Sequence, residues 1–141
     1  MKPDTEAFSI DANVILRYML RDDPVLSPKA RDILKGVESG RTIVDCDPVN
    51  LAEVIWVLSS FYRLTNEQIH EGLEPIVSPE GFHVPNKQRY LLALRLYAEG
   101  MKSFGDACAC AAAIQDCGGR LYSFDTKLSK VPGITRSEHM V

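Results

Sequence analysis

Residues 7–18 read Ala7-Phe8-Ser9-Ile10-Asp11-Ala12-Asn13-Val14-Ile15-Leu16-Arg17-Tyr18. The first four form a short apolar run that ends at Asp11, after which Val14, Ile15, Tyr18 and Met19 recur at helical spacing. A strand running straight into a helix, with a carboxylate at the junction, is how an α/β unit opens. Asp22-Asp23-Pro24 breaks the helical pattern. Ser27-Pro28 restarts it as an expected N-cap followed by proline at the first helical position, and this second helix should stop near Gly40. Thr42-Ile43-Val44 reads as a buried strand. Asp47-Pro48 then repeats the cap-and-proline signal ahead of Leu51, Val54, Ile55 and Leu58, which puts Glu53 in the second turn of a helix.

The same alternation continues along the chain. Thr65-Asn66-Glu67-Gln68 is an expected capping box for a helix ending before Pro79, and Phe82-His83-Val84 is a further short strand. A helix over residues 87–99 closes at Gly100. Asp106 is expected to cap an alanine-rich helix that Gly118-Gly119 ends, and Leu121-Tyr122-Ser123-Phe124 forms a strand with Asp125 just beyond it. Strands separated by helices favour right-handed crossovers, so the expected fold is α/β, a mainly parallel central sheet flanked by helices on both faces. Neither a repeat nor a linker interrupts it, and one domain over residues 1–141 is expected.

At 141 residues with 45% hydrophobic content, the chain can fill one core without disulfide staples. Sixteen basic against nineteen acidic residues leave a net charge of −3, so any nucleic-acid contact must be a local basic patch. No basic segment leads into an apolar core at the N-terminus, and no apolar run is long enough to span a bilayer, so a cytoplasmic protein with no membrane partner is expected. Cys108 and Cys110 fall two apart on a helix and point to different sides. With Cys117 they read as small buried reduced thiols, not as zinc ligands. His70, His83 and His139 share no ligand spacing with them.

Ligands of an open parallel sheet gather beyond the carboxyl ends of its strands, where Asp11 and Asp125 both sit. Asp106 opens a helix, and Glu53 lies just inside another, at the same expected edge. Each acid alone has a local explanation: Asp106 as a cap, Asp125 as the start of a turn through Thr126 and Lys127, Glu53 on a solvated helix stripe. Four carboxylates brought together would repel unless a hard cation joined them, which points to Mg²⁺ or Mn²⁺. Such an ion would activate water, orient a scissile phosphate and stabilise the leaving oxygen. Asp11 and Asp106 are expected as direct ligands, with Glu53 and Asp125 completing the set directly or through water. Ser123 could position such a water and Asn13 could brace the site, although both also suit plain local hydrogen bonding.

These motifs resemble those of the PIN-domain family, in particular VapC-like toxins. Ser9 to Tyr18 is similar to the family's opening. Asn50-Leu51-Ala52-Glu53-Val54-Ile55-Trp56-Val57-Leu58 resembles its glutamate helix, Phe104-Gly105-Asp106-Ala107 its third acidic motif, and Ser123-Phe124-Asp125-Thr126-Lys127-Leu128 its final strand-end motif. Gly105 stands where many relatives carry alanine, and Ser123 where many carry threonine; neither change removes a carboxylate. The resemblance implies a Mg²⁺- or Mn²⁺-dependent endoribonuclease, usually a homodimer, held inactive by a small antitoxin whose peptide crosses the acidic groove.

Arg17, Arg21, Arg63, Lys127 and Lys130 are the basic residues nearest the acids in sequence and are the expected RNA contacts. Leu16, Tyr18, Met19, Trp56 and Phe61 exceed what one sheet face needs, so part of that surface is expected to pair subunits. Two rival readings stand beside the nuclease. One is a catalytically silent scaffold that binds RNA or protein. The other is a phosphoryl-transfer domain in which Asp11 is the nucleophile, but Asn13 stands where such phosphatases carry a second aspartate.

Overall fold

The computed structural model describes residues 6–141, and its elements gather into two compact units, Met1–Lys87 and Gln88–Val141. The first unit holds β1 (Ala7–Ser9), α1 (Ala12–Leu20), α2 (Leu26–Glu38), β2 (Ile43–Asp45), α3 (Pro48–Ser60), α4 (Asn66–Val77) and β3 (Phe82–His83). Its strands pair in parallel in the order β1-β2-β3, with Phe8 opposite Val44 and Val44 opposite Phe82. One further bond, from the Ile10 N–H to the Asp45 carbonyl at 3.0 Å, carries the ladder to the point where the chain turns at Asp11.

Why the helices start where they do is local chemistry. Asp47 accepts from the Val49 N–H at 2.8 Å with Pro48 at the first helical position of α3, as the sequence indicates. Thr65 and Gln68 form the expected reciprocal capping box of α4. The start of α2 differs from expectation. Asp23, not Ser27, takes the free N–H groups there, accepting from Val25 at 2.9 Å and Leu26 at 2.8 Å. Ser27 lies inside the first turn, where its hydroxyl donates to the Arg17 carbonyl at 2.7 Å. Ser27 stands inside a helix that already starts at Leu26, too far along to cap those groups.

The core of this unit joins Ile15 of α1, Val37 of α2, Val44 of β2, Leu51, Val54 and Leu58 of α3, Ile69 and Leu73 of α4, and Phe82 of β3, all buried. Each such side chain contributes about 1.5–3 kcal/mol on leaving water. The buried positions 51, 54, 55 and 58 fall on one stripe of α3, which leaves Glu53 on the opposite, exposed side.

The second unit contains α5 (Lys87–Ala98), whose first residue closes the first unit, then α6 (Phe104–Asp116), β4 (Arg120–Tyr122), a 3-10 turn at Thr126–Lys130 and β5 (Thr135–Ser137). β4 and β5 pair in parallel, Leu121 opposite Arg136. Tyr97 packs edge-on against Phe104 with ring centroids 5.9 Å apart, and Leu94, Ala107, Cys110 and Ala111 are buried. α6 ends at two left-handed glycines, Gly118 and Gly119, as expected. The strand β5 has no counterpart in the sequence reading. Thr135-Arg136-Ser137 lacks the apolar residues that announce a strand, and it pairs because the tight path through Gly133 lays it beside β4.

All four cysteines are free thiols, with Cys46 and Cys110 buried, Cys108 partly so, and Cys117 exposed, the last contrary to the expectation of burial. Among the described residues no helix is long and apolar enough to cross a membrane.

Candidate active site

In the first unit, Asp11 is the N-cap of α1 and accepts from the Val14 N–H at 3.2 Å through Oδ1. Its second oxygen is left for other partners. Glu53 is exposed on α3, and among the described residues no hydrogen bond or ion pair engages its carboxylate. Asn13 is exposed in the first turn of α1. At the same carboxyl ends of the strands, Asp45 stands 3.4 Å from His83 and Asp47 is occupied with its cap.

In the second unit the expected capping role of Asp106 does not hold. Ser103 is the N-cap of α6, and its hydroxyl accepts from the Asp106 N–H at 3.1 Å. Asp106 is therefore a first-turn residue whose carboxylate, among the described residues, takes no hydrogen bond or ion pair. The positive end of the helix still favours its charge. Asp125 accepts from the Lys127 N–H at 2.9 Å and so starts the 3-10 turn. Ser123 fixes Asp125 from behind, its hydroxyl accepting from the Asp125 N–H at 3.0 Å.

Asp106 and Asp125 come together. Both line a cavity of about 290 Å³ together with Lys102, Lys127 and Lys130. Both also act on the same buried thiol: burial first, and then the charges of Asp106 and Asp125, push the Cys110 thiol up from its ordinary value. Lys102 was not singled out in the sequence, since nothing in its local pattern sets it apart. Arg17, an expected RNA contact, is instead committed within the fold. A hydrogen bond with Tyr62, opposed by burial and helped by Asp22 at 2.7 Å, holds its guanidinium above the ordinary value.

A family model for the PIN domain matches residues 9–134, a span that contains all four acids. The chain belongs to the PIN-domain family. PIN domains are generally nucleases that use divalent metal ions. No curated protein matches the chain. The donors of this PIN domain fit such an ion: all four are hard carboxylate oxygens, Glu53 and Asp106 are unengaged, and Asp11 and Asp125 each spend one oxygen on a backbone N–H. Among the described residues, no three Asp, Glu, His or Cys side chains are grouped closely enough to hold a metal by themselves.

Arg136 is the residue that holds the Asp125 segment in shape. Its Nη1 donates to the Ser123 carbonyl at 2.8 Å, its Nε donates to Ser129 Oγ at 2.8 Å, and Nη1 pairs with Glu138 at 3.0 Å. Sequence reading missed it because β5 was missed. Arg136→Ala removes a fork that spans both ends of the turn, and Arg136→Lys cannot rebuild it with a single ammonium. Either change is expected to lower nuclease activity about tenfold or more through misplacement of Asp125. Activity at parental level in both variants, measured beside unchanged circular dichroism, would remove Arg136 from the account.

Proposed function

We propose that residues 1–141 form one PIN domain acting as a metal-dependent endoribonuclease, the toxin of a VapBC-type pair, with Asp11, Glu53, Asp106 and Asp125 as ligands of Mg²⁺ or Mn²⁺. The observation that carries the reading is the pairing of Asp106 and Asp125 on one cavity rimmed by Lys102, Lys127 and Lys130. Carboxylates ringed by cations suit a site that must hold a metal and a phosphate together. When bound, the metal supplies an activated water and stabilises charge on the leaving oxygen. The lysines hold phosphate oxygens without reading bases, Ser123 and Arg136 keep Asp125 in position, and Ser103 keeps the first turn of α6 intact beneath Asp106.

Water as the nucleophile leaves a 5′-phosphate on the downstream product. Incubating the purified protein with structured RNA and Mn²⁺, then sequencing the ends, is expected to yield 5′-phosphate termini and no cleavage in EDTA. Termini bearing 2′,3′-cyclic phosphate would mean that the RNA's own hydroxyl attacked, and the mechanism would fall. RNA bound but never cut would favour a silent scaffold instead.

The proposed setting is the cytoplasm, with an antitoxin peptide placing a basic side chain near the carboxylates. A homodimer is part of the same proposal. Val49 (72% exposed) and Trp56 (66%) share a face of α3, and Phe61 (75%) follows at its end, a large apolar area for one face. Leu16, expected to join that surface, is buried in the core instead. Light scattering is expected to report twice the chain mass; monomer alone at micromolar concentration would contradict this.

A further inference from the structure

A cavity of about 660 Å³ lies between α1 and α2, walled by Tyr18, Arg21, Ser27, Pro28, Arg31 and Lys35. Asp22 and Asp23 also reach its rim, Asp22 paired with a cation and Asp23 engaged by backbone N–H groups but still charged. Asp22 accepts from Arg17 at 2.7 Å, and Asp23 accepts from the Val25 and Leu26 N–H groups. The cations are not balanced in the same way. Arg21 and Arg31 are exposed and, among the described residues, enter no ion pair, while Lys35 has only an exposed 3.4 Å pair with Glu38, a contact worth little. Three cations, Arg21, Arg31 and Lys35, thus stand against Asp23 and an Asp22 already paired with Arg17, which leaves the concavity positive in a chain whose net charge is −3.

Arg21 adds a second observation. It is the C-cap of α1 at φ 51°, a left-handed conformation that glycine adopts without penalty and arginine does not. The turn ends α1, the Arg21 N–H donating to the Arg17 carbonyl at 3.2 Å, and leaves the Arg21 side chain exposed on the cavity wall. The concavity also continues, because a neighbouring cavity of about 470 Å³ shares Tyr18, Arg21 and Lys35. Cations beside an aromatic ring along a trough match the chemistry of single-stranded nucleic acid, in which phosphates meet charge and bases stack on rings.

Asp11 and Arg21 cap opposite ends of the nine-residue α1, which at a rise of about 1.5 Å per residue separates them by about 14 Å. We infer that Arg21, Arg31 and Lys35, with Tyr18 as a stacking face, anchor the phosphodiester backbone of the RNA substrate a few nucleotides from the bond cleaved near Asp11. This rests on the nuclease reading for the identity of the polyanion.

The test is binding of a fluorescein-labelled oligouridylate in EDTA, followed by anisotropy over a range of salt concentrations. The variant Arg21→Gly/Arg31→Gln/Lys35→Gln keeps helix propensity at the two helical positions and relieves the strained one, so its melting temperature should match or exceed the parent's. Each phosphate contact contributes about 0.7 to the slope of log affinity against log salt on a single strand, so losing three should flatten it by about 2. In Mn²⁺ the variant should show a raised KM and an unchanged kcat. A folded variant with the parental slope and affinity would overturn the anchor even if the parent cuts RNA. A parent that binds with the expected slope but cuts no RNA would overturn the nuclease reading while the anchor stands.

Discussion

Asp106→Asn is expected to lower RNA cleavage by about a thousandfold or more while leaving the metal-free fold within about 1 kcal/mol of the parent. The loss of rate follows from removing a charged metal ligand, an interaction contributing several kcal/mol at the transition state, where each 1.36 kcal/mol is about tenfold. The small stability change follows from the correction at α6. Since Ser103 and not Asp106 is the cap, the substitution leaves the capping bond at 3.1 Å in place. What is lost is the favourable placement of a negative charge in the first turn, about 0.3–1 kcal/mol. Separation from the charge of Asp125, which faces the same cavity, offsets part of it. A mutant with more than a tenth of parental activity would remove Asp106 from the ligand set. A mutant that unfolds in EDTA would show a structural role that the hydrogen bonds do not contain.

Gly119→Ala is expected to be the most damaging single methyl in the second unit, costing about 3 kcal/mol or more. A Cβ built on Gly119 would lie 2.0 Å from the Gly133 carbonyl oxygen, a backbone atom that cannot swing aside as a side-chain tip could. The residue also sits at φ 83°, which alanine adopts only under strain. Relief would require moving Gly119 itself, yet its N–H donates to the Ala113 carbonyl at 2.8 Å and its carbonyl accepts from Thr135 at 2.8 Å. Those two bonds tie the end of α6 to the start of β5. Since β4 runs from this junction to Ser123 and Asp125, activity should fall with stability. Gly105→Ala serves as the control: the nearest atom to its Cβ is Ser103 Oγ at 3.8 Å, an ordinary contact. Denaturant midpoints for the two variants are expected to differ widely; equal midpoints would mean that the backbone around Gly133 yields freely.

The parts of the fold legible in the sequence were those written by strong local signals. Asp47-Pro48, the Thr65–Gln68 box and Gly118-Gly119 each fix a helix end through chemistry within a few residues, and each stands where it was read. Failures occurred where two candidates competed within a single turn. At the start of α2 it is Asp23, outside the helix, and not Ser27 that takes the Val25 and Leu26 N–H groups, and Ser103 displaced Asp106 as the cap of α6, because which acceptor reaches the free N–H groups depends on where the chain enters. For Asp106 the error has a functional consequence, since the carboxylate released from capping is available to a metal. β5 and its Arg136 were illegible for a different reason. A polar strand of three residues has no periodicity to read, and its pairing is dictated by glycines at a distance. The four acids were found by their order in the chain and by where each falls relative to strands and helices, while the cations around Asp106 and Asp125 emerged only from the three-dimensional arrangement.

The central proposal is that Asp11, Glu53, Asp106 and Asp125 serve one metal, and a double-mutant cycle on metal-induced stabilisation tests it most directly. Melting temperatures would be recorded for the parent, Asp11→Asn, Asp106→Asn and the double mutant, each in EDTA and in Mn²⁺. A single native-state site filled at 100 times its dissociation constant adds about 2.7 kcal/mol, on the order of 10 °C for a chain of this length. One shared site means that either single substitution removes most of that shift and that the double mutant loses little more, a strongly non-additive pattern. Losses that simply add, or a parental shift surviving in Asp106→Asn, would mean that the acids do not act on a common metal.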